Sequence, residues 1–495
     1  MTDTAPAPQQ SRGPVWTAPP GVSDKRAWLA LAVLLAGAFM SLLDTTIVNV
    51  ALPSIEGSLD ADEATLSWII SGYALAFGLV LIPAGRFGDR FGHKWVFFTG
   101  LAVFTAASLA CGLATDSLHL IIARVVQGIG GGLFFPAVTA FIQLLFPPMK
   151  RGKAFAIMGA VIGISSALGP VAGGLIIEAL GEESGWRWIF TINLPIGILA
   201  LIAAAILLPK GSEGKRLSTD GVGLLLLSAS LVALLVPLIQ GQDQGWPLWT
   251  FLSLAGGVVL LVLFALWERR LAARGVEPLV PPHLFSHAAF TGGTILALVY
   301  FAAFTSIFFT ISIFWQSGLG HTALESGLVS IPFAIGSIVG ASQSDRIAAK
   351  LGRTVLVIGV GMVTLGLAAA FLVLLLVPTA DLTNWDLLGP LLVAGIGSGL
   401  FIAPNARFIV ATVDRSEAGA ASGVIGTMQR IGSAIGIAVI GSVLFGSIDA
   451  YGIRGPEDVA PAFAQAATTA MGVSVAFSIV AFLLVFTLPK KVSLH

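Results

Sequence analysis

Long apolar segments dominate this sequence and limit the structures that it can form. Fourteen segments are long enough to cross a membrane, because a helix needs about 20 apolar residues to span the hydrocarbon core. They do not alternate apolar and polar residues as the strands of a membrane barrel do. Lipid leaves helices and closed barrels as the only spanning structures. The sequence therefore predicts an all-α integral membrane protein with fourteen spans.

The composition excludes most classes of soluble protein. Of the 495 residues, 56% are hydrophobic and only 11% are charged, whereas about a quarter of a soluble domain is charged. With Cys111 as its single cysteine, the chain has no intrachain disulfide and no cysteine-based metal site. No connection between spans is long enough for a catalytic domain. We therefore expect neither an enzyme nor a nucleic-acid-binding protein, and no cofactor or metal.

The basic residues orient the spans. Twenty-two of the 26 Lys and Arg residues fall in the tails and in the connections on one side, whereas the other side holds only Arg187 and Arg454. Cytoplasmic loops carry the excess of basic residues in membrane proteins. The sequence predicts a multi-pass protein of the plasma membrane with both termini in the cytoplasm.

An internal repeat divides the chain. Asp89-Arg90 and Asp345-Arg346 follow the second and tenth spans and are 256 residues apart. This offset predicts two six-helix bundles in pseudo-twofold parallel repeat with two extra helices inserted between them, which is a transporter architecture. The predicted segments are a disordered N-terminal tail (1–26), a first bundle (27–210), an inserted helix pair (211–275), a second bundle (276–489) and a C-terminal tail (490–495).

Two opposite charges lie inside the membrane at similar depth. Asp44 lies about 16 residues into the first span, at ~1.5 Å of rise per residue, and Arg124 lies in the outer part of the fourth span. Each alone costs about 2.5–3.5 kcal/mol on insertion scales, and pairing offsets much of that cost. One interpretation is a structural ion pair. The other is a proton switch, because burial favours the neutral carboxyl group and a nearby guanidinium favours the ionised one.

A second intramembrane cation, Arg430, has no obvious acidic partner at its depth. It either attracts an anionic group, repels a cation or caps a broken helix. Its helix position also makes it a candidate for a central substrate cavity. The candidates for this cavity are Ser41, Gln127, Asn405, Gln429 and Arg430.

Several motifs resemble those of one family. "GRFGDRFGHK" after the second span, "RVVQGIGGG" in the fourth and "GISSALGPVAGG" in the fifth are similar to motifs of the major facilitator superfamily, and specifically of its fourteen-helix drug:proton antiporter branch. "LDTTIVNVALP" and "WRWIFTINLPIG" resemble signatures of the same branch. The resemblance covers nearly the whole chain after residue 27. It implies the fold of that superfamily and links Asp44 and Arg124 to proton coupling.

The resemblance also assigns roles to two further sets of residues. A conformational latch at the cytoplasmic side is expected from Gly85, Asp89, Arg90, Gly92, Lys94, Asp345 and Arg346. Asp89 would stabilise the N-terminus of a neighbouring helix through its dipole, and Arg90 would hold a carboxylate across the interface. The antiporter motif of the fifth span, Gly163, Gly169, Pro170, Gly173 and Gly174, would seal the outer half. The alternative interpretations are charges that only set topology and glycines that only allow helix packing.

These features predict a proton-coupled exporter. The expected substrate is a lipophilic small molecule such as a drug, the expected energy source is the proton gradient, and the expected state is a monomer in the lipid bilayer. An exporter of lipids or endogenous metabolites on the same fold, without strict proton coupling, is the alternative function. A membrane protein that transports nothing, such as a sensor, is a third candidate.

Overall fold

The computed structural model describes residues 22–61, 63–209, 220–241, 244–411, 413–414 and 417–489. In these ranges the chain forms sixteen α-helices and no β-strand. The helices are α1 (Asp24–Leu59), α2 (Glu63–Phe91), α3 (His93–Gly112), α4 (Ser117–Leu145), α5 (Pro148–Leu180), α6 (Glu182–Thr191), α7 (Asn193–Leu207), α8 (Gly221–Gln240), α9 (Leu248–Ala273), α10 (Ala288–Ile313), α11 (Ala323–Val329), α12 (Ile331–Leu351), α13 (Thr354–Leu376), α14 (Leu388–Val410), α15 (Ala418–Tyr451) and α16 (Pro456–Val485).

The number of helices that can cross a membrane agrees with the sequence. Thirteen helices within the described ranges are long and apolar enough, with α6 and α7 in one span and α11 and α12 in another. Helix α5 bends by 40° between Met149–Ser165 and Leu168–Leu180, and counting it as one span gives fourteen. The predicted all-α membrane fold is confirmed. Most of the two predicted tails lies outside the described residues.

Local sequence signals explain where the helices begin and end. The side chain of Asp116 accepts a hydrogen bond from the backbone N–H of His119 (2.9 Å) and caps α4. This bond lowers the pKa of the exposed Asp116 carboxyl group. Gly92, with φ of 91°, separates α2 from α3, a backbone conformation that glycine adopts without steric cost.

The helices form two bundles and an inserted pair. We call α1–α7 the first half, α10–α16 the second half, and α8 with α9 the inserted pair. Across the interface between the halves, α2 packs against α15, and α5 packs against α12 and α14. The inserted pair lies beside this interface: Gly78 of α2 faces Leu235 of α8, and Trp246 donates a hydrogen bond to Ser442 of α15 (2.7 Å).

The two sides of the membrane differ in charge. Helices α1, α3 and α5 begin, and α2, α4 and α12 end, on the side where Arg86, Lys150 and Lys350 lie. We call this side the basic face. Asp89 and Asp345, whose contacts between the halves are described below, both lie at the basic face.

Candidate functional site

Asp44 lies at the centre of a buried polar network in the first half. Its side chain is 0% exposed. Arg124 Nη1 donates to its Oδ2 at 2.5 Å, and Oδ1 accepts from Gln127 Nε2 at 2.9 Å and from Asn193 Nδ2 at 3.2 Å. Helices α1, α4 and α7 therefore meet at this carboxylate. Three donors therefore compensate this carboxylate group, which is removed from water.

Arg124 is fixed by several contacts besides its ion pair with Asp44. Its Nε donates to the backbone oxygen of Ile69 at 3.1 Å, and its Nη1 also donates to Gln127 Oε1 at 2.6 Å. The ring of Tyr73 lies 4.2 Å from the guanidinium carbon, a cation–π arrangement. Such a desolvated pair depends on both members, because removing one partner of a buried pair costs about 3–5 kcal/mol.

Aromatic side chains connect this network to the second half. Tyr73 bonds through its hydroxyl group to Ser41 Oγ at 2.9 Å, and its ring centre lies 5.9 Å from that of Phe77. The guanidinium carbon of Arg430 lies 4.1 Å from the ring centre of the same Phe77. A continuous series of contacts therefore runs from Asp44 to α15 of the second half.

The ion pair joins two different helices. Arg124 belongs to α4 and Asp44 to α1, so a relative shift of these helices lengthens the ion pair. The packing of α1 against α4 and the electrostatics of this network are therefore linked.

At the basic face, Asp89 connects the two halves. Its two carboxylate oxygens accept hydrogen bonds from the backbone N–H groups of Gly419 (3.1 Å) and Ala420 (3.2 Å), in the first turn of α15. An anion at this position is favoured by the helix dipole. Arg86 Nη1 lies 4.0 Å and His93 Nε2 3.3 Å from the same carboxylate.

Gly85 allows this contact. A methyl group at Gly85 would overlap the backbone oxygen of Gly419, and one at Gly419 would lie 2.6 Å from Asp89 Oδ1. The backbones of α2 and α15 therefore touch, as small residues permit in membrane helices.

Asp345 occupies the corresponding position in the second half. Arg407 Nη1 of α14 donates to Asp345 Oδ1 at 2.8 Å. A methyl group at Gly152 of α5 would overlap both of these side chains. The ion pair therefore fills the interface between the halves, in parallel with the contact of Asp89.

The other latch candidates lie in different surroundings. The Arg90 guanidinium lies 4.9 Å from the ring centre of Phe91. Lys94 Nζ donates to the backbone oxygens of Ala205 (2.7 Å) and Leu208 (2.8 Å), and so caps α7 within the first half. Arg346 is exposed. The structure therefore brings Gly85, Asp89 and Asp345 to the interface, and Lys94 to a helix end.

The glycines of α5 face two neighbours. Methyl groups at Gly169 and Gly173 would overlap the side chain of Thr46 and lie 3.0 Å from Ile47, respectively, and both of these residues belong to α1. At Gly163 and Gly174 they would meet Ser337 and Leu324 of the second half. Pro170, on the same helix, lies against Gly327 of α11. Helix α5 thus touches both the helix of Asp44 and the opposite half.

Comparison with known proteins assigns the family. A family profile described as Major Facilitator Superfamily matches residues 34–437. The chain belongs to the Major Facilitator Superfamily. The protein, called the facilitator below, is thus a multi-pass membrane protein of a transporter family and not an enzyme.

Relatives and solved structures agree with this assignment. The facilitator is 35% identical to a probable actinorhodin transporter of Streptomyces coelicolor, over 91% of its own length and 78% of that protein. It is 33% identical to a tetracenomycin C resistance and export protein of Streptomyces glaucescens, with 85% and 76% covered. The structure of the proton:xylose symporter XylE superimposes with a TM-score of 0.64 at 14% identity, over 94% of this chain and 96% of that one. At this identity the likeness concerns the fold.

The cavity candidates of the facilitator lie in different places. Ser41 and Gln127 are both 0% exposed and belong to the network of Asp44. Asn405 donates to the backbone oxygen of Gly293 (3.2 Å) within the second half. Gln429 is half-buried beside Arg430. Of the five, Arg430 makes the contact across the interface.

Sequence reasoning missed several members of these networks. Tyr73 and Asn193 are polar residues in largely apolar segments, and Ser108 accepts a hydrogen bond from Gln127 Nε2 at 2.8 Å. Asn193 lies inside the quoted "WRWIFTINLPIG" motif, and an amide at that depth is a detectable signal. Arg407, the partner of Asp345, lies in the last turn of α14, where a basic residue usually only helps to orient a span.

Gln127 offers a test of the network by stability. Replacing it with Leu removes one donor to Asp44 and one to Ser108. We expect the free energy of unfolding to fall by about 1–3 kcal/mol, because buried polar groups lose their partners. Thermal unfolding of the purified protein measures the change. The same substitution at the exposed Gln343 is the control, and equal stability of the two variants would contradict the network.

Proposed function

We propose that this facilitator exports lipophilic small molecules across the plasma membrane in exchange for protons, with Asp44 as the proton-binding residue. The observation that carries this proposal is the Asp44–Arg124 ion pair, 0% and 1% exposed, shared between α1 and α4. A charged pair at this depth in lipid is costly, and intramembrane acids of this kind are typical of proton relays. The named relatives support export of small molecules.

The proposed cycle follows from the contacts at the interface. The basic face is cytoplasmic by the positive-inside rule, so both termini are cytoplasmic. With Asp89 bound to α15 and Asp345 against α5, the cytoplasmic side is closed. In this state Asp44 takes up a proton from outside. When the halves rock and these contacts open, the proton leaves to the cytoplasm and the substrate binds in competition with it.

The aromatic contacts carry the signal between the halves. Protonation of Asp44 leaves Arg124 without its counter-charge, while its guanidinium still lies against Tyr73. Tyr73 contacts Phe77, which supports Arg430 of the second half. Two cations then flank one pair of aromatic rings, and their repulsion favours separation of α2 from α15.

Arg430 also restricts the substrate. In the described ranges no carboxylate pairs with it, and its only strong contact is the ring of Phe77. An uncompensated positive charge at the interface raises the energy of a second cation nearby. The proposed substrates are therefore uncharged lipophilic molecules rather than cationic ones.

Reconstituted vesicles test proton coupling. In inside-out proteoliposomes with an acidic lumen, we expect the neutral dye Nile red to accumulate, and a protonophore to abolish the accumulation. Equal uptake with and without the gradient would contradict proton coupling. Uptake that persists without any gradient would instead support the uncoupled lipid or metabolite exporter.

Replacing Arg430 with Gln tests the substrate preference. Removing the cation should raise the rate of transport of the cationic dye ethidium severalfold relative to that of Nile red, because any loss of coupling between the halves slows both dyes alike. The ratio of the two initial rates in the same vesicles measures the effect. Arg346→Gln, which removes an exposed Arg of the second half, is the control. An unchanged ratio would show that Arg430 does not select against cations.

A further inference from the structure

Two carboxyl groups meet where the inserted pair ends at the basic face. Asp220 caps α8 by accepting from the backbone N–H of Gly223 (2.9 Å) and also accepts from Trp267 Nε1 at 3.0 Å. Glu268 of α9 is 2% exposed. A methyl group at Gly223 would overlap Asp220 Oδ2 and would lie 2.6 Å from Glu268 Oε1. The two carboxyl oxygens therefore point into the same small space.

One of these oxygens has no donor. Glu268 Oε2 accepts from the backbone N–H of Val280 at 2.7 Å, but its buried Oε1 has no hydrogen-bond partner in the described structure. The side chain of Asp220 is within hydrogen-bond reach of Glu268. Two carboxylates in one space repel each other, and a buried acceptor without a donor is costly. A single proton shared between the two carboxyl groups removes the repulsion and also gives Glu268 Oε1 a hydrogen-bond donor.

We propose that Asp220 and Glu268 form a proton-sharing carboxyl pair, through which the inserted helices transmit the cytoplasmic proton concentration to the Asp89 contact between the halves. Asp220 is half-buried, so protons reach the pair from the basic face. This function is distinct from the coupling proton at Asp44. It gives the inserted pair, which lies outside both bundles, a regulatory role.

A short connection links the pair to the interface. The segment 276–281 joins α9 to the second half, and its Val280 binds Glu268. Pro278 in the same segment accepts a hydrogen bond from Arg86 Nη2 at 2.7 Å. Arg86 lies 4.0 Å from Asp89. A displacement of this segment therefore acts on the residue that stabilises the Asp89 contact.

The neighbouring elements define the charges that act on the pair. Arg86 approaches from α2, and His283 pairs with Glu417 at 3.1 Å between the segment and α15. Arg269 and Arg270, next to Glu268 on α9, are exposed. Burial raises the pKa of Glu417, and His283 opposes this shift.

The donor set favours a proton over a metal ion. No group of three or more His, Cys, Asp or Glu side chains that suits a metal occurs in the part of the chain that the structure describes. Hard cations take six or more oxygen ligands or retain several waters, whereas one hydrogen bond satisfies Glu268 Oε1. When both groups ionise, their repulsion separates the ends of α8 and α9 and moves Val280 with them.

Glu268→Gln mimics the protonated pair, because its amide can accept from Val280 and donate to Asp220. We expect wild-type protein to show the infrared carbonyl band of a protonated carboxyl group at neutral pH, and the variant to lack it. Amide exchange in 276–281 and at the start of α15, corrected for intrinsic rates, should change severalfold with pH in the wild type. In the variant this response should be lost. Neither readout requires transport activity.

Two further variants keep the test decisive. Asp220→Asn retains the cap of α8 and should lose the same pH response, so it decides the matter if Glu268→Gln fails to fold. Glu277→Gln removes an exposed carboxyl group in the same segment and should behave as wild type. A wild-type pH response in both pair variants would overturn the proposal. A response to sodium or potassium at constant pH, rather than to protons, would also overturn it.

Discussion

Replacing Asp44 with Asn is expected to abolish gradient-driven accumulation of Nile red, while the protein still inserts and folds. Asn fills the same volume and still accepts hydrogen bonds from Gln127 and Asn193, so the fold is kept, although the loss of the counter-charge of Arg124 lowers the stability. It cannot bind or release a proton. The variant therefore stays in the equivalent of the protonated state, and exchange of dye across the membrane without net accumulation remains possible. Initial rates in proteoliposomes, with and without the gradient, measure the loss.

The control for this variant is the same substitution at an exposed position. Asp449→Asn, near the end of α15, removes a carboxylate that lies outside the described networks and should leave accumulation unchanged. Thermal unfolding of both variants separates loss of coupling from loss of fold. Accumulation at the wild-type rate in Asp44→Asn would exclude Asp44 as the coupling residue.

Replacing Gly85 with Ala is expected to have the second largest effect, on the closed state of the basic face. The added methyl group overlaps the backbone oxygen of Gly419, and a backbone cannot move aside as a flexible side chain can. Helices α2 and α15 must separate, and the hydrogen bonds of Asp89 to α15 lengthen. We expect transport to fall by about tenfold or more, which corresponds to about 1.4 kcal/mol. Pulsed electron paramagnetic resonance between spin labels introduced at Phe91 and Asp414 measures the distance between α2 and α15.

Gly446→Ala is the matched control, because a methyl group there meets no atom within 4 Å. Ala is favoured over Gly in a helix by about 1 kcal/mol, so this variant should be at least as stable as the wild type. If Gly85→Ala transported normally and kept the wild-type label distance, the contact between α2 and α15 would not hold the closed state.

The sequence was sufficient to predict the ion pair but not its surroundings. Asp44 and Arg124 were matched because their depths follow from counting residues along two spans of opposite direction. The contact of Tyr73 with Arg124 depends on which faces of α2 and α4 are adjacent. Membrane helices are apolar on several faces, so hydropathy does not define neighbours. Asn193, an amide inside the motif "WRWIFTINLPIG", was a missed partner that the sequence alone could have indicated.

The charges at the basic face show the same limit. Asp89 was predicted to lie at the N-terminus of a neighbouring helix, and the structure places it at the first turn of α15. In the sequence, Glu268 stands next to Arg269 and Arg270, which is typical of a charged connection at the membrane surface. Glu268 is buried because the segment 276–281 folds back over α9. The sequence pattern alone does not predict this tertiary contact.

Proton release on substrate binding tests the central claim most directly. Purified wild-type protein in lightly buffered solution, mixed with Nile red and followed with a pH indicator, should release protons in an amount that saturates with dye. Asp44→Asn should bind the dye and release none. Equal proton release by the two proteins, or none by either while dye binds, would contradict competition between substrate and proton at Asp44.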